Sequence, residues 1–369
     1  MTTQATVVRR RRLAAAGAAL LIVGLLVLGV SLMSRDHAAV AAPKLPPGRP
    51  VTIAWGGDTT LGSSFGLPPQ NGFAALRYVA PLLGAADLTA VNSEGTFATG
   101  GSSKCGTPPS PNCFAFRAPP LNASALRRAG VDIANLANNH AFDFGAIGLG
   151  QTVTSLKRQR VAVTGRPGEI TVLKVDGARV AFVGFAAYPW ASSINDLAGV
   201  RALVARAAAR ANVVVVMMHA GAEGAAQTHV PVGPEEAFGE QRGDSRAFAH
   251  TAVDAGADLV LGSGPHVVRG IELYRQRLIA YSLGNLAGYK NFASGGNLSL
   301  SGILRTTLDE DGAFLTGRFS SLLLDAENIP RPDRTGQTAK LITELSRSDF
   351  GNRGVVIRRS GLVELPPPT

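Results

Sequence analysis

Short apolar runs that each close on glycine or a polar side chain recur from Val51 onward, and they constrain this chain more than any other feature. Val51-Thr52-Ile53-Ala54-Trp55 ends in Gly56-Gly57-Asp58, Leu88-Thr89-Ala90-Val91 in Asn92-Ser93-Glu94, and Ile133-Ala134-Asn135-Leu136 in Ala137-Asn138-Asn139-His140. Further on, Val213 to Met218 runs straight into His219, and Leu259-Val260-Leu261 into Gly262-Ser263-Gly264-Pro265-His266. Runs of this length bounded by turn residues read as buried strands. Helical spacing is expected at 71–83, 122–129, 145–160, 194–211 and 244–255. Hairpins are expected at 172–175 with 179–185, turning at Asp176-Gly177, and at 271–274 with 278–282, with later strands at 302–308 and 313–324. This alternation predicts an α/β protein with a sheet core and helices outside. It leaves open whether there is one sheet or two facing each other.

The polar ends share a direction, because each follows a strand in the same way. They offer Asp58, Asn92 and Glu94, Asn138, Asn139, His140 and Asp143, His219 and Glu223, and His266. Carboxylates, amide oxygens and neutral imidazoles are a ligand set for first-row divalent ions. The ends of adjacent strands are where α/β proteins place their sites. His37, His229 and His250 lack such context, and Asp254 and Asp258 read as helix-end residues.

Residues 13–33 hold no charge, follow Arg9-Arg10-Arg11-Arg12 and precede Arg35-Asp36. About 20 apolar residues span a bilayer as a helix, and the basic flank stays inside. The expected organisation is a cytoplasmic basic segment 1–12, a transmembrane signal-anchor 13–33, a linker 34–50, a folded domain 51–362 and a disordered tail 363–369. A cleaved signal peptide ending near Ala39-Val40-Ala41, or twin-arginine export through Arg9–Leu13, would also put the domain outside the cytoplasm. The net charge of +10 is concentrated at this end. Residues 1–50 hold seven basic side chains against Asp36, a balance of +6 that leaves +4 for the rest, so no nucleic-acid partner is expected. Cys105 and Cys113 flank a loop of Gly, Pro and Ser. In an oxidising compartment they would close a disulfide, and two free thiols are the alternative.

Gly57-Asp58, Asn92-Ser93-Glu94, Leu136-Ala137-Asn138-Asn139-His140 with Asp143-Phe144-Gly145, His219-Ala220-Gly221-Ala222-Glu223, Gly262-Ser263-Gly264-Pro265-His266 and Tyr281-Ser282-Leu283-Gly284-Asn285 resemble, in this order, the CapA/PgsA family of capsule and poly-γ-glutamate synthesis proteins. That family is related to calcineurin-like metallophosphatases. The resemblance therefore implies a four-layer α/β/β/α sandwich with a centre of one or two divalent ions (Mn, Fe or Zn). Asp58, Glu94, Asn139, His219 and His266 would be the ligands, with Glu94 bridging and Asn139 on the second ion. His140 would be the general acid oriented by Asp143, while Asn92, Asn138, Glu223 and Asn285 would support ligands or substrate. The reaction implied is attack by activated water on a phosphorus ester. The implied partners are an anionic cell-envelope polymer or its precursor and a membrane synthase complex.

Three departures stand out: Thr60 stands where the wider superfamily has a histidine, Gly264 where many family members have one, and His219-Ala220-Gly221-Ala222-Glu223-Gly224 where the family often shows His-Trp-Gly-x-Glu-Tyr. The loss at Gly264 would weaken the second ion position. A rival of another class is a non-catalytic polymer-binding or scaffolding subunit with a degenerate metal site.

Overall fold

The computed structural model describes residues 49–63, 65–107 and 113–367. The expected segments 1–12 and 13–33, the linker up to residue 48, and His37 lie outside the described residues. Among the described residues no helix is long and apolar enough to cross a membrane.

In chain order the main strands are β1 (Val51–Thr59), β2 (Leu88–Ser93), β3 (Ile133–Asn135), β4 (Ala162–Thr164), β5 (Thr171–Val175), β6 (Ala178–Ala186), β7 (Val213–His219), β8 (Leu259–Ser263), β9 (Ile271–Tyr274), β10 (Arg277–Ala280), β11 (Asn285–Ala287), β12 (Leu300–Leu308), β13 (Phe314–Leu324) and β14 (Pro330–Pro332). The main helices are α1 (Ser124–Arg128), α2 (Gly145–Arg158), α3 (Leu197–Ala208), α4 (Ser245–Asp254) and α5 (Gln337–Phe350). One sheet has the order β14-β13-β12-β1-β2-β3-β4, with β11 beside the end of β1. The other has the order β9-β10-β8-β7-β6-β5. The site-bearing strands β1, β2 and β3 run parallel in the first sheet, as do β6, β7, β8 and β10 in the second.

Period-2 alternation explains how the sheets stack. Ile53, Trp55 and Ala90 point into the same apolar layer as Val213, Val215, Met217 and Leu261, so the two sheets face each other. The intervening residues face outward. Ala54, Val91 and Ala134 pack under Leu126 and Leu156, while Val214, Val216 and Met218 pack under Val204 and Phe248. The result is the four-layer α/β/β/α arrangement, and the question of one sheet or two is settled as two. Trp55, fully buried on β1, donates its indole N–H to Gly262 O on β8 at 3.1 Å and so links the sheets where the site begins.

Several elements match the expectations closely. Asp176 and Gly177 both adopt positive φ, 44° and 86°, the two-residue turn that the Asp-Gly pair predicts. Asp196 and Asp244 cap α3 and α4 by accepting the Gly199 and Ala247 amides at 3.0 and 2.8 Å.

Other expectations need correction. The helix expected over 71–83 is instead a 3₁₀ turn, Phe73–Ala75, and a short helix, Ala80–Leu83. Pro81 lacks an amide hydrogen, so it starts a helix rather than continuing one. Helix α5 was not foreseen, because its buried positions, Ala339, Ile342 and Leu345, are set among polar residues. The domain also continues past 362. Val363–Glu364 pairs with Val356–Ile357, and Val363 is buried, so a disordered tail cannot begin at 363. Asp258 is not a helix-end residue: it is buried and accepts the Val214 amide at 2.8 Å.

Candidate metal centre at the strand ends

Gly57 sets the first ligand. Its φ of +79° shifts the register of β1, so that Asp58 pairs with Asn92 on one side and Asn285 on the other. A Cβ at Gly57 would lie 2.5 Å from Gly284 O, so only glycine allows this close passage. Asp58 is fully buried. Its Oδ1 accepts Asn92 Nδ2 at 2.7 Å and its Oδ2 accepts the Gly264 amide at 3.0 Å.

The remaining strand ends converge on this carboxylate. His219, the last residue of β7, places Nδ1 3.1 Å from Asn92 Nδ2 and 3.6 Å from Asp58 Oδ1, with Nε2 3.8 Å from Glu94 Oε1. His266 sits at φ 60°, an uncommon backbone for a side-chain-bearing residue, and is held by Asn285 Oδ1 at 2.8 Å. Its Nδ1 is 3.4 Å from Asp58 Oδ2, and its Nε2 is 3.8 Å from Glu94 and 3.7 Å from Glu223. Asn92 Oδ1 also accepts Asn138 Nδ2 at 3.1 Å and Asn135 Nδ2 at 3.0 Å, tying the third strand end into the cluster.

A second group lies beside it. His140 Nδ1 is 2.9 Å from Asp143 Oδ2, which also accepts the Phe116 amide at 2.6 Å, while Lys104 pairs with Asp143 Oδ1 at 2.7 Å. The His140 ring packs against Phe116 with centroids 4.3 Å apart. Asn138 Oδ1 accepts the His140 amide, and Trp190 Nε1 donates to Asn138 O, so the Asn-Asn-His turn is fixed from both sides.

The predicted residues Asp58, Asn92, Glu94, Asn138, His219, Glu223, His266 and Asn285 are thus brought together, with His140 and Asp143 alongside. Asn139 Oδ1, like the Glu94 carboxylate, is buried without a hydrogen-bond partner. His229 and His250 stand apart from the site, paired with Asp349 and Glu272. Sequence reasoning missed Arg242, whose guanidinium lies 3.3 Å from His219 Nε2, Ser263, whose Oγ lies 3.3 Å from His219 Nδ1, Lys104 and Asn135. Ser263 and Asn135 sit on strands already read, within the runs that point at the site. Lys104 adjoins Cys105, whose bond to Cys113 is formed. Arg242 gave no such signal.

The electrostatics follow from burial and close charges. Burial, then the Asp58 charge, raises the Glu94 carboxyl well above its ordinary value. Burial alone would raise Asp58 too, but hydrogen bonds and charge from His219 and His266 pull it below the usual carboxylate range. Burial opposes charge on His266, yet Glu94, Asp58 and Glu223 push it up to about 10. Burial lowers His219, and it lowers His140 against the opposing pull of Asp143.

Glu94 tests whether an ion fits. It is 1% exposed, and neither carboxylate oxygen has a hydrogen-bond partner. Leaving such a group without a partner costs about 1–3 kcal/mol or more. Asp58, Glu94 and His219 each offer a ligand atom within 4.8 Å of the others. An orphaned carboxylate beside a second carboxylate and an imidazole is a donor set for a divalent cation. Thr60 is fully buried with its Oγ1 unpartnered.

Comparison with known proteins adds the family context. The profile described as Bacterial capsule synthesis protein PGA_cap matches residues 52–290. A "Capsule biosynthesis protein CapA" of Bacillus anthracis is 32% identical over 182 residues, covering 44% of this chain and 41% of that protein. A "Probable polyglutamine synthesis accessory protein" of Mycobacterium tuberculosis is 28% identical over 319 residues, covering 77% and 78%. The chain spans about half the length of the Bacillus relatives it matches, 41% and 55%. Among solved structures, a 5'-nucleotidase precursor from Thermus thermophilus aligns with a TM-score of 0.42 at 15% identity, over 81% of this chain and 59% of that one.

Proposed function

The chain belongs to the bacterial capsule synthesis protein family PGA_cap, and from that premise we propose that it serves the synthesis of an anionic capsule or poly-γ-glutamate-type polymer of the cell envelope, through a metal-dependent phosphoesterase-type hydrolase site. The single observation that carries the enzymatic reading is the buried Glu94 carboxylate, which has no donor of its own and lies beside Asp58 and two imidazoles. Asp58, Glu94, His219 and His266 would hold the ion. A divalent Mn, Fe or Zn ion would supply the positive charge that acidifies water and stabilises a developing oxyanion. His140 supplies proton transfer at Nε2, because Asp143 engages its Nδ1 and fixes the ring plane. Lys104 balances Asp143, so the acid pair stays oriented without a net negative charge against the substrate. Glu223 and His266 are the partly open edge of the cluster, where an anionic chain would approach.

Thr60 and Gly264, which supply no imidazole, favour the rival reading of a polymer-binding or scaffolding subunit. The test is to purify the full chain, measure bound Mn, Fe and Zn, and assay phosphodiester and γ-glutamyl substrates beside His140→Ala. Turnover in the wild type and a drop of about 10²–10⁴-fold in the variant are expected. A metal-free protein with no His140-dependent turnover would leave only the scaffold reading.

Residues 13–33 are proposed to anchor the chain, with the folded domain outside the cytoplasmic membrane. The Cys105–Cys113 disulfide supports this placement, since such bonds persist in oxidising compartments. Protease added to intact spheroplasts should digest the domain, and full protection would refute the topology.

A further inference from the structure

Arg242 reaches the cluster from a hairpin, Glu235–Ala237 with Glu240–Gly243, that has no part in the strand-end pattern. Its side chain is 1% exposed. The guanidinium lies 2.6 Å from Glu223 and 3.3 Å from His219 Nε2, and it donates to Tyr188 Oη at 2.7 Å and to Gly221 O at 3.3 Å. The guanidinium occupies the space in front of His219 Nε2, so no ion can sit there whichever tautomer the ring adopts. The other nitrogen of that ring, Nδ1, remains on the Asp58 side.

By the resemblance a second ion would take Glu94, Asn139, whose Oδ1 is buried without a partner, and His219. His219 Nε2 and the neighbouring Glu223 are both engaged by Arg242. Position 264 has no histidine and no room for one. Gly264 has a φ of +115°, and a Cβ there would lie 2.9 Å from Ala220 N and 3.0 Å from Ala220 O, both backbone atoms that would have to shift. The missing histidine is therefore built into the course of the backbone.

Arg242 also brings a fixed positive charge, shared with Glu223 at 2.6 Å and Glu240 at 3.4 Å, beside which a second cation would have to sit. Arginine suits the place because it stays charged when buried and its fork engages several acceptors at once.

We propose that the centre holds a single divalent ion and that Arg242 excludes a second, standing as a fixed positive charge on the His219 Nε2 and Glu223 side. The inference rests on the metal-site reading above, and one experiment separates the two. The full-length chain is saturated with ¹¹³Cd or Mn, freed of excess, and its ions counted by elemental analysis together with the number of ¹¹³Cd resonances. One ion per chain and one resonance are expected. Two ions overturn this inference and leave the metal-site reading standing, whereas none at saturation removes both. In Arg242→Ala, with Nε2 and Glu223 released, the count is expected to rise toward two and a second resonance to appear. A count that stays at one removes the excluding role of Arg242. Should the alanine variant fail to fold by circular dichroism, Arg242→Gln tests the fixed charge alone: it removes the positive charge while its amide still supports the fold, and the count is again expected to rise above one.

Discussion

Glu235 and Glu94 are both buried carboxylates, yet their surroundings are opposite. Glu235, 6% exposed, accepts Arg269 at 2.9 and 2.7 Å through the two arms of the guanidinium, the Ala222 amide at 3.0 Å and the Ser245 hydroxyl at 3.1 Å. Arg269 itself is completed by Gln227 O and Ala222 O. Glu94, 1% exposed, accepts nothing. A buried carboxylate kept for the fold has its lone pairs filled by the fold, as Glu235 does. One left empty beside another carboxylate and two imidazoles carries a cost that folding alone does not offset. Glu235 belongs to the frame that steers the Arg242 hairpin, and Glu94 belongs to the chemistry that hairpin overlooks.

The contrast is most exposed to failure where its two members should respond with opposite sign. Arg269→Met leaves Glu235 buried with only neutral donors, and a loss of about 3–5 kcal/mol is expected in urea unfolding of the metal-free protein. Glu94→Gln removes a buried carboxyl that had no partner and, with it, the cost of holding a proton that the unfolded chain releases, so the metal-free variant is expected to gain on the order of 1 kcal/mol while losing ion binding. If Glu94→Gln destabilises as much as Arg269→Met, Glu94 is a structural residue and the contrast collapses.

The pH dependence of the metal-free protein sharpens the same contrast. Glu94 is raised by burial and by Asp58, so the folded state keeps a proton that the unfolded chain releases once pH passes the ordinary value of 4.5. Stability therefore falls as pH climbs from there through the raised value. His266 adds the same sign: its contribution is whole below 6.5 and is lost as pH rises through about 10. A melting temperature that declines from mildly acidic to alkaline pH is expected, with a flatter profile in Glu94→Gln. Added Mn²⁺ should raise the wild-type value most at the alkaline end, where the carboxylate is free to bind. A profile that Glu94→Gln leaves unchanged would mean that Glu94 does not hold the proton.

Much of the site was legible because Asp58, Glu94, His219 and His266 each end or follow an apolar run, where a polar side chain has no packing role. The facing of the two sheets was not legible. In a strand such as Val213 to Met218 both faces are covered, so inward and outward positions are equally apolar and alternation carries no signal. Arg242 was hidden for a different reason. It lies in a charged hairpin, Glu-Gln-Arg-Gly, that reads as solvated surface, and its inward course depends on Glu235 meeting Arg269, a partner 34 residues away. Long-range ion pairs leave no local pattern, and neither does the Cβ clash that bars a side chain at Gly264.

A third carboxylate, Asp143, stands between the two extremes and gives the smallest and most specific effect. It is filled like Glu235, by the Phe116 amide and Lys104, but its remaining contact is the His140 ring. Burial lowers His140, and Asp143 is the main group holding it up. Asp143→Asn keeps the shape and an oxygen for the Phe116 amide while removing the charge. The His140 ring signals followed by NMR should then titrate at lower pH than in the wild type. Because less imidazolium is present at a given pH, any limb of activity that needs His140 as an acid should shift the same way. A purely structural Asp143 would leave the titration in place and change only the melting temperature. A downward shift with little change in melting would show that the proton on His140 is set by this carboxylate, whose other contacts already satisfy the fold.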